Sequence, residues 1–315
     1  MKLYTQINIQ PEHNPIDYNS KVLLLGSCFV ENIGDKLAYY KFNTLQNPFG
    51  IVFHPVAIEK LVTRALNETL FTEADLFFHN EQWHCFEVHS LLSDANKEAF
   101  LRKLNTQLKL LQEYLETATH FVFTYGTAWV YRFIETDNFV ANCHKIPQKK
   151  FLKELFSAEA VAASIENTIT LIKDVNLQAT FVHTVSPVRH LKDGFVENTQ
   201  SKAHLLAGLH ELIAPKNRMH YFPSYELLLD ELRDYRFYAE DMLHPNALAI
   251  AIIWERFNTA WIASETAPLQ KEIDSIQSGL RHRPFYPESE AHQAFLKNLQ
   301  QKIENFQQQN PHITL

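Results

Sequence analysis

The chain has 315 residues but only seven glycines, about a third of the usual share, which excludes collagen-like repeats, glycine-rich linkers and a G-x-G-x-x-G nucleotide loop. A hydrophobic content of 46% suits a globular protein with a substantial core, and a net charge of −7 without long single-sign blocks argues against a phosphate-binding surface, so no nucleic-acid partner is expected. Three cysteines, no charged leader followed by an apolar stretch, and no apolar run of roughly 18 residues point to a reduced, cytoplasmic protein without a membrane partner.

Short apolar runs alternate with longer helical patterns, the signature of a parallel sheet wrapped by helices. Val22 to Leu25 reads as a buried strand, followed by a helix from Phe29 to about Tyr40 and a second extended piece over Phe42 to Leu45. A helix near Val56 to Leu66 opens a helical insertion over about 57–119, whose Leu101, Leu104, Leu108, Leu111 and Leu115 form an apolar stripe. Strands are expected at Phe121 to Phe123, Thr180 to Val185 and Met219 to Phe222, with helices near Ala158 to Ile172, Lys202 to Leu212 and Ala247 to Ile262. Parallel neighbours joined this way need right-handed crossovers, so the expected product is a three-layer α/β/α domain over residues 1–265. Residues 266–315 read as a C-terminal linker and a polar helix ending in a solvated, Gln-rich stretch.

Gly26-Ser27-Cys28-Phe29 follows the first buried strand directly and opens a helix. Such a turn lifts a side chain above the carboxyl edge of the sheet, where a helix N-terminus favours negative charge and lowers a thiol pKa. The competing reading is a small buried cysteine at a tight turn. Far along the chain, Asp241-Met242-Leu243-His244-Pro245 precedes the last helix, and Pro245 keeps His244 in the connecting loop. An aspartate three residues before a histidine can accept the Nδ1 hydrogen and leave Nε2 free to face a nucleophile. Glu81 and His84 share that offset and receive no role, because what distinguishes Asp241 and His244 is their place at the carboxyl end of the strands.

The strand, elbow, second-strand glycine and terminal D-x-x-H loop resemble the GDSL/SGNH hydrolase superfamily. Gly26-Ser27-Cys28-Phe29, Asn47-Pro48-Phe49-Gly50, Tyr125-Gly126-Thr127-Ala128-Trp129, Thr184-Val185-Ser186-Pro187, Tyr221 to Glu226 and Asp234 to Tyr238 resemble the GSCFA-domain family within it. The resemblance spans about residues 22 to 262. It implies a flavodoxin-like, SGNH-hydrolase topology with a central five-stranded parallel sheet and an ester- or acyl-handling site.

Aligning the superfamily's G-D-S on Gly26 makes Cys28 the nucleophile, and the alternative register makes it Ser27. Successive side chains on extended backbone point to opposite faces, so only one can serve. The resemblance implies an oxyanion hole from the Cys28 amide, the Gly50 amide and a third-block asparagine. The third block here reads Gly126-Thr127-Ala128-Trp129, so that asparagine is missing, and Asn142 or the Thr127 hydroxyl is expected instead. Gly126, Arg189, His190 and Arg236 are candidates for substrate binding, Arg236 because a guanidinium suits a carboxylate or phosphate; Lys202, Tyr225 and Tyr238 are weaker ones. Sixteen histidines invite a zinc hypothesis, but Cys143-His144 is the only close pair and nothing completes a tetrahedron, so neither metal nor cofactor is expected. The expected reaction is hydrolysis of a small acyl ester, acetyl above all and on a carbohydrate, by a Cys-His-Asp or Ser-His-Asp triad. An acyltransferase using the same groups and a catalytically silent glycan- or partner-binding module are the alternatives.

Overall fold

The computed structural model describes residues 5–315. Five strands carry the apolar runs: β1 (Lys21–Gly26), β2 (Asn43–Gln46), β3 (His120–Tyr125), β4 (Thr180–Val185) and β5 (Met219–Tyr221). They form one parallel sheet in the order β5-β4-β3-β1-β2, the flavodoxin-like arrangement. In that order the direction of winding reverses between β1 and β3, and the crevice above a reversal is where open α/β sheets bind ligands.

The alternation of side chains along each strand builds two cores. Leu23, Leu25, Phe121, Phe123 and Phe181 face one side, where α2 (Pro55–Leu66), α3 (Lys97–Thr117), α4 (Ala158–Val175) and α5 (Phe195–His210) pack. Val22, Leu24, Val122 and Val182 face the other, against α1 (Cys28–Tyr39) and α6 (Ala247–Trp261). Central parallel strands are buried on both faces, which is why they read as unbroken apolar runs rather than alternating ones.

Three features depart from the sequence expectation. The stretch between β2 and β3 holds an antiparallel hairpin, Phe77–His79 with Gln82–His84, between its two helices. Helix α5 begins at Phe195, not at Lys202, because Gly194 at φ 108° turns the chain directly into it. Residues that read as loop after β3 form a three-stranded antiparallel sheet from Trp129–Phe133, Asn138–Val140 and Phe151–Leu155. At the C-terminal end, α7 (Ala267–Arg281) and α8 (Glu290–Gln309) share a small core of Ile273, Ile276, Leu299, Phe306 and Ile313. None of the helices among the described residues is long and apolar enough to cross a membrane.

Candidate active site

The elbow is fixed by backbone. Gly26 has φ 141°, and a Cβ there would stand 2.1 Å from the Thr124 carbonyl oxygen of β3, so the close approach of β1 to β3 at the turn demands glycine. The Ser27 amide donates to Thr124 O at 2.9 Å, the Val52 amide to Gly26 O at 3.0 Å, and the Gly26 amide to the Asn47 side-chain oxygen at 2.9 Å. Held on both sides, the chain turns from strand into α1 within one residue, Ser27, which stays extended at φ −70° and ψ 169°.

That turn separates the two nucleophile candidates. Ser27 is fully buried and its hydroxyl has no hydrogen-bond partner among the described residues. Cys28, half-buried at the first position of α1, places its sulfur 3.8 Å from His244 Nε2. On the far side of the imidazole, Nδ1 lies 2.6 Å from Asp241 Oδ2, while Asp241 Oδ1 accepts the amides of Leu243 and His244 at 2.9 and 3.0 Å. Those bonds, led by the His244 amide, pull the Asp241 carboxyl down to about 2. A carboxylate there accepts the Nδ1 hydrogen, and the ring then presents an unprotonated Nε2 to the sulfur.

The loop carrying His244 is braced from both ends. The Ala239 amide donates to the His244 carbonyl at 2.7 Å, and Met242 at φ 58° closes the turn between them. Asn246 caps α6 through the Ala249 amide and donates from its side chain to the Arg236 carbonyl at 2.6 Å. A change that frees this loop therefore moves both His244 and Asp241.

The electrostatics correct one expectation. Burial, and next to it the Glu31 carboxylate one turn along α1, push the Cys28 thiol up; Lys202 and the amides of Cys28 and Phe29 oppose them without prevailing. The helix N-terminus alone does not yield a standing thiolate, and a nucleophilic sulfur here would need a base to take its proton. Replacing Glu31 by glutamine is expected to lower the thiol pKa and speed iodoacetamide labelling of Cys28 severalfold at pH 7; an unchanged rate removes Glu31 from this balance.

The expected oxyanion donors are corrected further. The Gly50 amide donates to Asn47 O at 2.7 Å, closing the turn after β2. A Cβ at Gly50 would meet His89 Cβ at 2.5 Å, so this glycine answers to packing rather than to a substrate. The Thr127 hydroxyl accepts the Trp129 amide and pairs with Ser201 Oγ, each at 3.0 Å, and so shapes its own turn. Asn142 accepts the His144 amide at 2.8 Å and lines a cleft of about 260 Å³ with Phe53, Thr127, Trp129 and His190, a lining that does not reach Cys28 or His244.

The substrate-binding candidates divide. Gly126 packs against the elbow, with Ser27 Cβ 3.1 Å and His190 Nε2 3.3 Å from where its own Cβ would be. His190 is pushed down to about 4, first by burial and then by Lys202 and His244, so it is neutral beside the site. Arg189 lies 5.0 Å over the Tyr238 ring, whereas exposed Arg236 sits near Asp234 and over Phe237, away from any contact with the triad. Asn47 and Glu31, which position the elbow and charge it, are missed by motif reasoning. Asn47 stands in the string Asn47-Pro48-Phe49-Gly50, where attention to the glycine hid it. Among the described residues no group of three or more His, Cys, Asp or Glu is arranged to hold a metal ion.

The model of the GSCFA family matches residues 21–257, and that described as GSCFA domain protein, C-terminal domain, matches residues 273–315. No curated protein sequence matches the chain. Among solved structures, that of a carbohydrate esterase family 3 from Talaromyces cellulolyticus aligns at 7% identity and a TM-score of 0.37, covering 80% of this chain and 99% of that one.

Proposed function

The chain belongs to the GSCFA family, and from that premise we propose that it is a hydrolase of small acyl esters working through Cys28, His244 and Asp241. The observation that carries this reading is the line of contacts from the Cys28 sulfur, 3.8 Å to His244 Nε2, and from His244 Nδ1, 2.6 Å to Asp241. Nucleophile, base and orienting carboxylate in that sequence are the minimum for covalent acyl transfer.

In the proposed reaction His244 Nε2 takes the thiol proton as the sulfur attacks the ester carbonyl carbon, and the carbonyl π pair moves to oxygen. The amides at the N-terminus of α1 hold that oxyanion, since the first amides of a helix have no partner within it. Collapse of the intermediate breaks the bond to the alkoxy oxygen, which leaves with the proton from His244. Water, deprotonated by the same imidazole, then attacks the thioester, releasing the acid and restoring the thiol. Acetyl is the acyl group in this reading, and the alcohol, a carbohydrate hydroxyl, would lie toward the cleft of Phe53, Trp129 and His190.

Incubation with an activated acetyl ester, acid quench and peptide mass spectrometry is expected to find the acetyl group on the Cys28 peptide. Acetylation confined to another residue, or absent while hydrolysis proceeds, overturns the covalent mechanism.

A further inference from the structure

Beneath the elbow lies a charge that the proposed reaction leaves unused. Lys202, on α5, is 1% exposed, and its ammonium donates to the carbonyls of Gly126 and Ser186, both at 2.6 Å. Gly126 follows β3 and Ser186 follows β4, so one side chain ties together the two strand ends beside the winding reversal. Gly126 is also the residue packed against Ser27 and His190. An isolated buried ammonium is costly, and here two carbonyl dipoles and the thiol of Cys28 are what it has to meet.

We propose that Lys202 is a positioning residue: its buried ammonium locks the ends of β3 and β4 around the elbow and favours negative charge on the Cys28 sulfur. The inference rests on Cys28 being the nucleophile. His244 from the loop before α6 meets that sulfur at 3.8 Å, while the charges that act on it are Glu31 from α1 and Lys202 from α5; Lys202 acts in turn on His190. Glu31 opposes the thiolate and Lys202 supports it.

The charge is expected to act over a limited pH range. Burial draws the lysine down to about 7, against the opposing pull of Cys28. Its support for the thiolate is therefore present below pH 7 and lost above it. A lysine that only ties loops together would affect Cys28 equally at every pH.

The test is the rate of iodoacetamide alkylation at Cys28, followed by peptide mass spectrometry from pH 6 to 9.5. The protein is compared with Lys202→Met and Lys202→Gln, the latter keeping hydrogen-bonding capacity without charge. Both substitutions are expected to slow alkylation about tenfold at pH 6.5 and to leave it within twofold at pH 9.5. A ratio that stays constant with pH, or Lys202→Gln behaving like the parent, overturns the proposal. Where the variants do not fold, the parent Lys202 protein suffices. In a His244→Ala background, which removes the imidazole facing the same sulfur, log rate is expected to rise with a slope below one around pH 7, and a unit slope throughout overturns the proposal. This readout uses no ester. An absence of acetyl-Cys28 alongside a pH-dependent ratio defeats the hydrolase reading alone, and acetyl-Cys28 with a constant ratio defeats the role of Lys202 alone.

Discussion

Cys28→Ala and His244→Gln are each expected to lower kcat for a small acetyl ester by about 10⁴-fold, whereas Ser27→Ala stays within about twofold of the parent. The asymmetry follows from the elbow. Ser27 Oγ is buried without a partner, so removing it leaves no group unsatisfied, and stability is expected to hold or rise. Cys28 places its sulfur 3.8 Å from His244 Nε2, and with its thiol pushed up by burial and Glu31 it holds little thiolate at neutral pH. Loss of the base therefore removes most of what loss of the nucleophile removes. Asp241→Asn is expected to fall within about tenfold of His244→Gln. An asparagine whose oxygen keeps the two amides of Leu243 and His244 must point its NH₂ at Nδ1, which forces the hydrogen onto Nε2 and leaves no acceptor for the thiol proton. Steady-state kinetics with circular dichroism as a folding control decide the matter. Full activity in Cys28→Ala with loss in Ser27→Ala moves the nucleophile to Ser27.

The part of this arrangement that could be read without coordinates is the part written in local pattern. Val22 to Leu25 is a buried run bounded by a glycine, and Asp241 to Pro245 ends in a proline that holds it in the connection before the last helix, so strand, elbow and the His244 loop can be placed from the chain alone. The three strands between Trp129 and Leu155 are three to five residues long and partly exposed, which leaves neither a continuous apolar run nor a clean alternation. Asn142 does lie in the loop after the second of these strands, but it accepts the His144 amide and lines a cleft whose walls include neither Cys28 nor His244, a placement the chain alone does not reveal. Gly50 shows a different limit. A glycine demanded by His89, distant in sequence, cannot be told from one demanded by a substrate. Lys202 did leave a trace, since it occupies an inward position between Asn198 and Leu205 on α5, where a lysine is out of place unless buried with partners. Its partners are backbone carbonyls, which no residue pattern reveals.

Three deeply buried histidines are together expected to cost this fold about 6 kcal/mol on acidification from pH 7 to 5, and His190, pushed down to about 4 as well, about 2 more. His54, His144 and His183 are at most 4% exposed, and burial foremost pulls them down to about 4, 4 and 3 respectively. The bonds of His54 require a neutral ring, with Nδ1 accepting the Ala57 amide at the start of α2 and Nε2 donating to Val140 O. His144 donates from Nε2 to Cys85 O in the same way, and His183 has Tyr125 OH at its Nδ1. In the unfolded chain each binds a proton near pH 6.5, so below that value unfolding takes up protons that the fold refuses. Stability is then complete above about pH 7, falls as the pH drops through 6.5, and levels only below the folded values near 3 to 4. Each group loses about 1.4 kcal/mol per pH unit in that window, or about 2 kcal/mol by pH 5. Asp241, held near 2, contributes nothing to this loss, because it remains ionised throughout. Urea unfolding at pH 7, 6 and 5 measures the slope, and a total change below about 1 kcal/mol defeats the account. His54→Asn separates the contributions. Asparagine caps α2 as well as the imidazole does but takes up no proton, so the variant loses about 2 kcal/mol less than the parent between pH 7 and 5 whatever its stability at neutral pH.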